Sequence, residues 1–374
     1  METTINQPLV QGQEPESLKL EVASQAQLIW WKFRKHKLAI VSSVILIIFY
    51  TLALFCEFFA PWSSVTFKSA YAFMPPQVLR LFHDGQFSLH VNNYTYEREP
   101  LTMRRIWSLD EESIIPVGFF VKGDAYKLWG LIPSDIHFIG SKDPTQPFFL
   151  MGTDRIGRDI MSRLIYSARI SLTVGLVGIA LSFFLGITLG GISGLIGGVL
   201  DNLIQRAIEI LISIPQLPFW LALAAMVPVT WTALQTYFMI SIILSLLSWT
   251  GLARVVRSKF LSLREEDFVM AARLDGCKNF RLITVHMLPS FMSHIIASIT
   301  LSIPGMIIGE TALSFLGLGL RPPIVSWGVM LQDTQKIVAV AEFPWLLYPA
   351  LAVFIVVLAF NFLGDGLRDA ADPY

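Results

Sequence analysis

Residues 38–60, LAIVSSVILIIFYTLALFCEFFA, form an apolar run in which Glu57, near the far end, is the only charge. About 20 apolar residues in a helix cross the hydrocarbon of a bilayer, so this run reads as a membrane span. Further runs lie near residues 168–196, 203–226, 235–256, 292–316 and 345–364, which makes six expected crossings. Composition agrees: the 374 residues are 54% hydrophobic and 15% charged, against about 25% charged for a soluble domain. The expected fold class is therefore an all-α polytopic membrane protein. Several of the later runs contain Gly and Pro, which membrane helices tolerate where neighbours cover the freed backbone. That pattern fits a bundle with an interior.

Orientation follows from the Lys and Arg residues of the short segments. Lys32, Arg34, Lys35 and Lys37 precede the first run, and Arg254, Arg257, Lys259, Arg264, Arg273, Lys278 and Arg281 follow the fourth. Six crossings place both groups on one side, expected to be the cytoplasm, together with both termini. Residues 1–37 are expected to be a polar cytoplasmic tail ending in an interfacial helix, where Trp30, Trp31 and Phe33 alternate with bases. No small-residue cleavage site follows the first run, so residues 38–60 are expected to be retained as a span. Residues 61–165 form an extracytoplasmic insert whose apolar periodicity is too weak to assign a fold. Residues 166–374 complete a five-helix core, with a cytoplasmic loop at 257–290. Cys56 and Cys277 fall at different depths, which argues against a disulfide or a shared metal.

The cytoplasmic loop contains EEDFVMAARLDGCKNFRLITVHMLPS, residues 265–290. Ser262 and Glu265 have capping-box spacing, and Glu265, Glu266 and Asp267 place negative charge at the start of a short helix. Phe268, Ala271, Ala272 and Asp275 recur at steps of three and four, giving a face of small side chains with one aromatic at its edge, and Gly276 then allows a turn. Small side chains permit close approach of another surface.

The spacing of AARLDG and HMLP within this loop resembles the cytoplasmic EAA loop of permease subunits of bacterial ABC importers, in the dipeptide, oligopeptide and nickel permease family. GTDRIGRDIMSRLIYSARISLTVG (152–175), ETALSFLGLGLRPPIVSWG (310–328) and PWLLYPALAVFIVVLAFNFLGDGLRDAADPY (344–374) are similar to the same branch, in the same order. The family's usual glutamate before the two alanines is Met270 here, and its usual isoleucine is His286. The resemblance implies the six-helix type I importer permease fold, as the C-type member of a permease pair in the bacterial inner membrane. It implies that Phe268, Ala271, Ala272, Asp275 and Gly276 form a coupling helix docking on an ATPase. It also implies a second homologous permease, two ABC ATPase subunits that bind ATP and Mg, and an extracytoplasmic substrate-binding protein. Peptides are the expected cargo; oligosaccharides, opines, glutathione and nickel chelates are the alternatives within the family.

The residues themselves bear on chemistry. No Walker motif occurs, so ATP hydrolysis is expected in another subunit; no cofactor, metal site or nucleic-acid partner is expected for this chain. Asp154 and Asp159 in GTDRIGRD are read as structural, with Thr153 or Asp154 capping a helix and Arg155 and Arg158 meeting lipid headgroups or a partner. Gly186, Gly190, Gly194 and Gly198 recur every fourth residue and predict close helix packing. Arg206 and Glu209, one turn apart, predict an internal ion pair, and Glu310 lies deep in the fifth run, facing either the substrate path or a neighbouring helix. No nucleophile or acid–base pair stands out, so the chain is expected to move solutes and not to act as an enzyme. An intramembrane enzyme and an ATP-independent carrier are the readings from other classes.

Overall fold

A computed structural model describes residues 25–371 apart from residues 84, 102 and 103; the polar tail expected at the N-terminus lies outside the described residues. The chain opens with α1 (Gln25–Lys35), and α2 (Lys37–Leu54) follows at once. The His36 imidazole accepts from the Ala39 amide at 3.2 Å at the start of α2. On α1, Phe33 is buried against Ala39 and Ala370 while Trp30 and Trp31 stay exposed, as suits a helix whose aromatic edge meets an interface.

The bundle continues with α3 (Ile160–Ile196), α4 (Gly198–Ser213), α5 (Gln216–Ala225), α6 (Ala233–Leu263), a short α7 (Asp267–Leu274), α8 (Met292–Phe315), the short α9 (Trp327–Leu331) and α10 (Tyr348–Ala371). Among the described residues, five of these helices are long and apolar enough to cross a membrane. The expected third span is not one straight helix. The chain bends by 87° between α4 and α5, where Ile214 is extended and Pro215 has no amide to donate.

Helices α3 and α6 form the longest seam of the bundle. A methyl group built on Gly190 would lie 2.5 Å from the Ala253 carbonyl oxygen, and one on Gly194 would lie 2.8 Å from that of Arg257. Gly186 meets the Leu252 side chain, so two of the four striped glycines let the backbones approach and a third makes room for a side chain, which is where membrane helices gain their packing attraction. Gly198 does not join them: it turns the chain into α4 at φ +65° with open space beside it. The main apolar cluster gathers Leu46 of α2, Leu172 of α3, Ile307 of α8, Trp327 of α9 and Phe360 of α10.

The expectation of an all-α chain is corrected by the insert. Residues 79–141 fold into a four-stranded antiparallel sheet, with β1 (Leu79–His83), β2 (Gln86–Arg98), β3 (Arg105–Leu128) and β4 (Ile132–Ser141) in sequential order. Its buried cluster consists of Val91, Ile115, Val117, Ile139 and Phe148. With so few inward positions on long strands, the period-two signal that marks a half-buried strand is diluted. The sheet is tied to the bundle by the His137 ring, which bonds the Ala60 carbonyl at 2.5 Å, and by the Trp62 amide, which donates to Ser162 of α3 at 2.9 Å.

Candidate functional site

The segment expected to face the cytoplasm is built on the end of α6. The capping box expected at Ser262 and Glu265 does not form, because α6 continues through Leu263 and the Arg264 amide still donates to Phe260. Helix α7 begins at Asp267 after an extended Glu266, without a side-chain cap, while Asp267 sits in its first turn. Its end is sharply defined. Gly276, at φ +77°, donates to the Arg273 carbonyl and Cys277 donates to that of Ala272, both at 3.0 Å. These two bonds make a Schellman cap, whose left-handed residue favours glycine.

Only one side of α7 is anchored. Val269 is fully buried, with Ala272 and Cys277 against it, in a cluster with Leu195 of α3, Phe260 of α6, Leu282, Met287 and Ile295 of α8. Leu282 and Met287 are the ends of a single π-helical turn, Leu282–Met287, that returns the chain toward α8. Of the five residues expected to form the docking face, Phe268, Ala271, Asp275 and Gly276 are exposed, whereas Ala272 is half-buried and turned toward the bundle. The exposed side also carries apolar residues that the small-residue pattern did not single out, Met270 and Leu274 at 88% exposure, and Phe280, at 78%, lies beyond α7 in the helical turn Asn279–Arg281. Their signal in the sequence is the placement of large apolar residues on the face opposite Val269. A patch of this kind on a charged loop marks a protein-contact surface.

Beside this segment, Arg257 of α6 makes two bonds of 2.6 Å to the Asp201 carboxylate at the start of α4. Arg206 and Glu209 do form an ion pair at 2.6 Å, but it lies on the exposed side of α4, with side chains 78% and 50% exposed; the expectation of an internal pair is corrected. The strongly apolar surroundings of the run concealed which face of α4 turns outward.

Glu310 is fully buried in α8 and faces a neighbouring helix. The Ser171 hydroxyl of α3 donates to one carboxylate oxygen at 3.3 Å, and the Ser314 hydroxyl to the other at 2.7 Å. Each hydroxyl also accepts a backbone amide: Ser171 from Trp327 at 3.1 Å and Ser314 from Leu320 at 2.9 Å. Glu310 thus fixes the return loop between α8 and α9 through two serines. A separate cleft of about 120 Å³ between α3, α6 and α8 is bordered by Ser182, Ser248, Ser298 and Ser302; isolated serines in apolar helices gave no sequence signal for it.

The start of α3 is held by charge. Asp154 accepts from the amides of Ile156 and Arg158 at 3.0 Å, from the Arg158 side chain at 2.6 Å, and from the buried Arg163 guanidinium. Asp159, and neither Thr153 nor Asp154, caps α3 by accepting from the Ser162 amide at 2.7 Å. Burial, with Asp154 nearby, pushes the Asp159 carboxyl up from 3.8 to about 7. Arg155 pairs with Asp333 at 3.2 Å, and Arg158 pairs with Asp154. Arg169 makes two bonds, of 2.6 and 2.7 Å, to Glu57 beyond the end of α2. Burial raises the Glu57 carboxyl, but the Arg169 bonds outweigh it and hold the group below its ordinary value.

Five helices of membrane-spanning length and apolarity, with a bent pair beside them, define a polytopic membrane protein. A family model described as the binding-protein-dependent transport system inner membrane component matches residues 186–374, just over half of the chain, and one described as the N-terminal TM domain of oligopeptide transport permease C matches residues 24–76. The chain belongs to this family of ABC importer permease subunits. It is 39% identical to the dipeptide transport system permease protein DppC of Bacillus subtilis, over 59% of this chain and 68% of that one. It is 38% identical to the oligopeptide transport system permease protein OppC of Haemophilus influenzae, over 64% and 75%. A solved chain of the inward-facing MetNI methionine ABC transporter is similar at 16% identity and a TM-score of 0.44, over 57% of this chain and 98% of that one. Neither family model covers residues 77–185, where the sheet lies.

Proposed function

We propose that this chain is the C-type permease of a peptide importer, with the bent α4–α5 pair counting as one span to give six crossings in the type I arrangement. Residues 61–165 are its extracytoplasmic insert, residues 257–290 its cytoplasmic coupling loop, and both termini are cytoplasmic. It pairs with a second permease above two ATPases that bind ATP and Mg, and receives cargo from an extracytoplasmic binding protein. The relatives named for dipeptide and oligopeptide transport support peptide cargo.

Helix α7 docks on an ATPase through Phe268, Ala271, Asp275 and Gly276, joined by Met270, Leu274 and Phe280. The observation that carries this reading is the division of α7 into two faces. One is exposed and carries Phe268, Met270 and Leu274, and the other is locked through Val269 into the ends of α3, α6 and α8. Movement of a docked ATPase is then passed to three helices at once, because close-packed side chains transmit displacement with little compression. The serine-bordered cleft supplies hydroxyl and carbonyl partners for peptide groups, while Glu310 sets the loop between α8 and α9. Co-purification from native membranes tests the reading. A second permease and an ATPase should accompany the chain, and peptide uptake into proteoliposomes should require ATP. Uptake by the isolated chain without ATP contradicts it.

A further inference from the structure

The insert carries a hairpin tip from which the apolar side chains of Leu131 and Ile132 are exposed. Strands β3 and β4 are joined by Trp129, Gly130 and Leu131, with the Leu131 amide donating to Leu128 at 3.0 Å. Trp129 sits at φ +52°, a left-handed conformation that a bulky side chain adopts only when its surroundings impose it. Here the surroundings are the outer end of the first span. The Trp129 indole N–H donates to the Leu54 carbonyl at 2.8 Å, and the ring lies 5.4 Å from Phe55.

Two tie points set the direction of the hairpin. Nearer the sheet, Phe120 packs 6.1 Å from Phe58, one turn beyond the end of α2; at the tip, Trp129 reaches back to Leu54 itself. The hairpin therefore descends along the end of the span instead of rising away from it. An 18-residue helix is about 27 Å long, slightly less than the roughly 30 Å of a hydrocarbon core, so Leu54 lies at or just inside its outer boundary. At that depth a free helix-end carbonyl finds no water. Trp129 and the Arg169 guanidinium, which donates to Leu54 at 2.9 Å, supply the missing donors. Leu131, 79% exposed, and Ile132, 54% exposed, project beyond Trp129. Lys127 is exposed at the neck of the hairpin, where an ammonium can reach headgroups.

We propose that the β3–β4 tip is a membrane-inserting element that buries Leu131 and Ile132 in the outer leaflet beside the first span, so that the sheet is held at a fixed height above the bilayer. Its occupant is a lipid surface, because the tip is continuous with a span already at membrane depth.

The test uses the full chain with its co-purified partners in phospholipid nanodiscs. Cys277 is replaced by Ser, Cys56 is fully buried, and a nitroxide is attached at Leu131→Cys or, for comparison, at Glu97→Cys on the exposed part of β2. The ratio of oxygen to nickel-chelate accessibility should be several-fold higher at 131 than at 97, and lipids carrying a relaxing agent in their upper acyl chains should broaden only the 131 signal. Equal, water-like accessibility at both sites overturns the proposal. So does a water-exposed label at 131 that becomes immobilised only when the extracytoplasmic binding protein is added, which would assign the tip to a protein partner. Both labels replace exposed side chains, and an unchanged melting profile confirms that the fold is intact.

Discussion

The two ends of the bundle are held by different forces. At one end, α3 starts in a lattice of charge: Asp154 with Arg158 and a buried Arg163, Asp333 with Arg155, Asp159 as a cap, and Arg169 clamping Glu57. At the other end, α7 and the π-helical turn rest on apolar contacts of Val269, Leu282, Met287, Phe260 and Ile295, with the partly buried pair Asp201–Arg257 and the more exposed pair Arg264–Glu265 beside them. Directional bonds between charges have one good geometry and resist sliding. Apolar contacts are non-directional and permit small shear between packed helices. The difference predicts rigidity at the charged end and movement at the apolar end, where the proposed function places the ATPases.

The comparison can be broken first at Asp154. Asp154→Ala leaves the Arg163 guanidinium buried without its carboxylate, an error that costs about 3–5 kcal/mol. The variant should melt well below the wild type in detergent, and wild-type melting would remove the charged lattice from the account. The pH dependence of that lattice comes next. The Asp159 carboxyl titrates near 7 when folded but near 3.8 when unfolded, so the folded chain binds the extra proton between those values. Stability from this group should therefore fall as pH rises through that window, with a limiting slope of about 1.4 kcal/mol per pH unit. Asp159→Asn, which can still cap α3, should flatten the melting temperature between pH 5 and pH 7; an unchanged slope would show that another group is responsible.

The smallest effect on stability is expected at Gly276. A methyl there meets nothing within 4 Å, so only the left-handed φ is at issue, worth about 1–2 kcal/mol for a residue with a Cβ. Gly276→Val should loosen the end of α7 without unfolding the bundle. Uptake should drop while global melting stays within a few degrees of the wild type. Equal losses of both would place α7 inside the rigid core and erase the contrast between the ends.

Much of this arrangement is legible in the sequence because lipid imposes simple rules. Length and apolarity locate α2, α3, α6, α8 and α10, and a four-residue glycine repeat marks the α3–α6 seam. Hydropathy says nothing about bends, and so the break at Pro215 emerges only from the fold. The sheet was hidden because Val91, Ile115, Val117 and Ile139 are its few inward positions among long strands with exposed residues on both faces. The position of Glu310 was readable, but its partner Ser171 lies on a distant segment, and a lone serine in an apolar helix gives no pairing signal. The same limit applies at α7. Spacing put Phe268, Ala271, Ala272 and Asp275 on one face with Gly276 as the turn, but that Ala272 is half-buried depends on where Val269 finds Phe260.

The central claim is that the exposed side of α7 receives the work of the ATPases. Leu274 tests it most directly, since it is 88% exposed, contributes to no buried cluster and can be changed without touching the bundle. In membranes from cells producing Leu274→Glu together with its partners, the chain should be present at wild-type levels and melt as the wild type does. The ATPase recovered with it, and ATP-dependent peptide uptake, should both fall by an order of magnitude or more, as for a central interface residue worth at least about 2 kcal/mol. Undiminished ATPase recovery and uptake with Leu274→Glu would contradict the account.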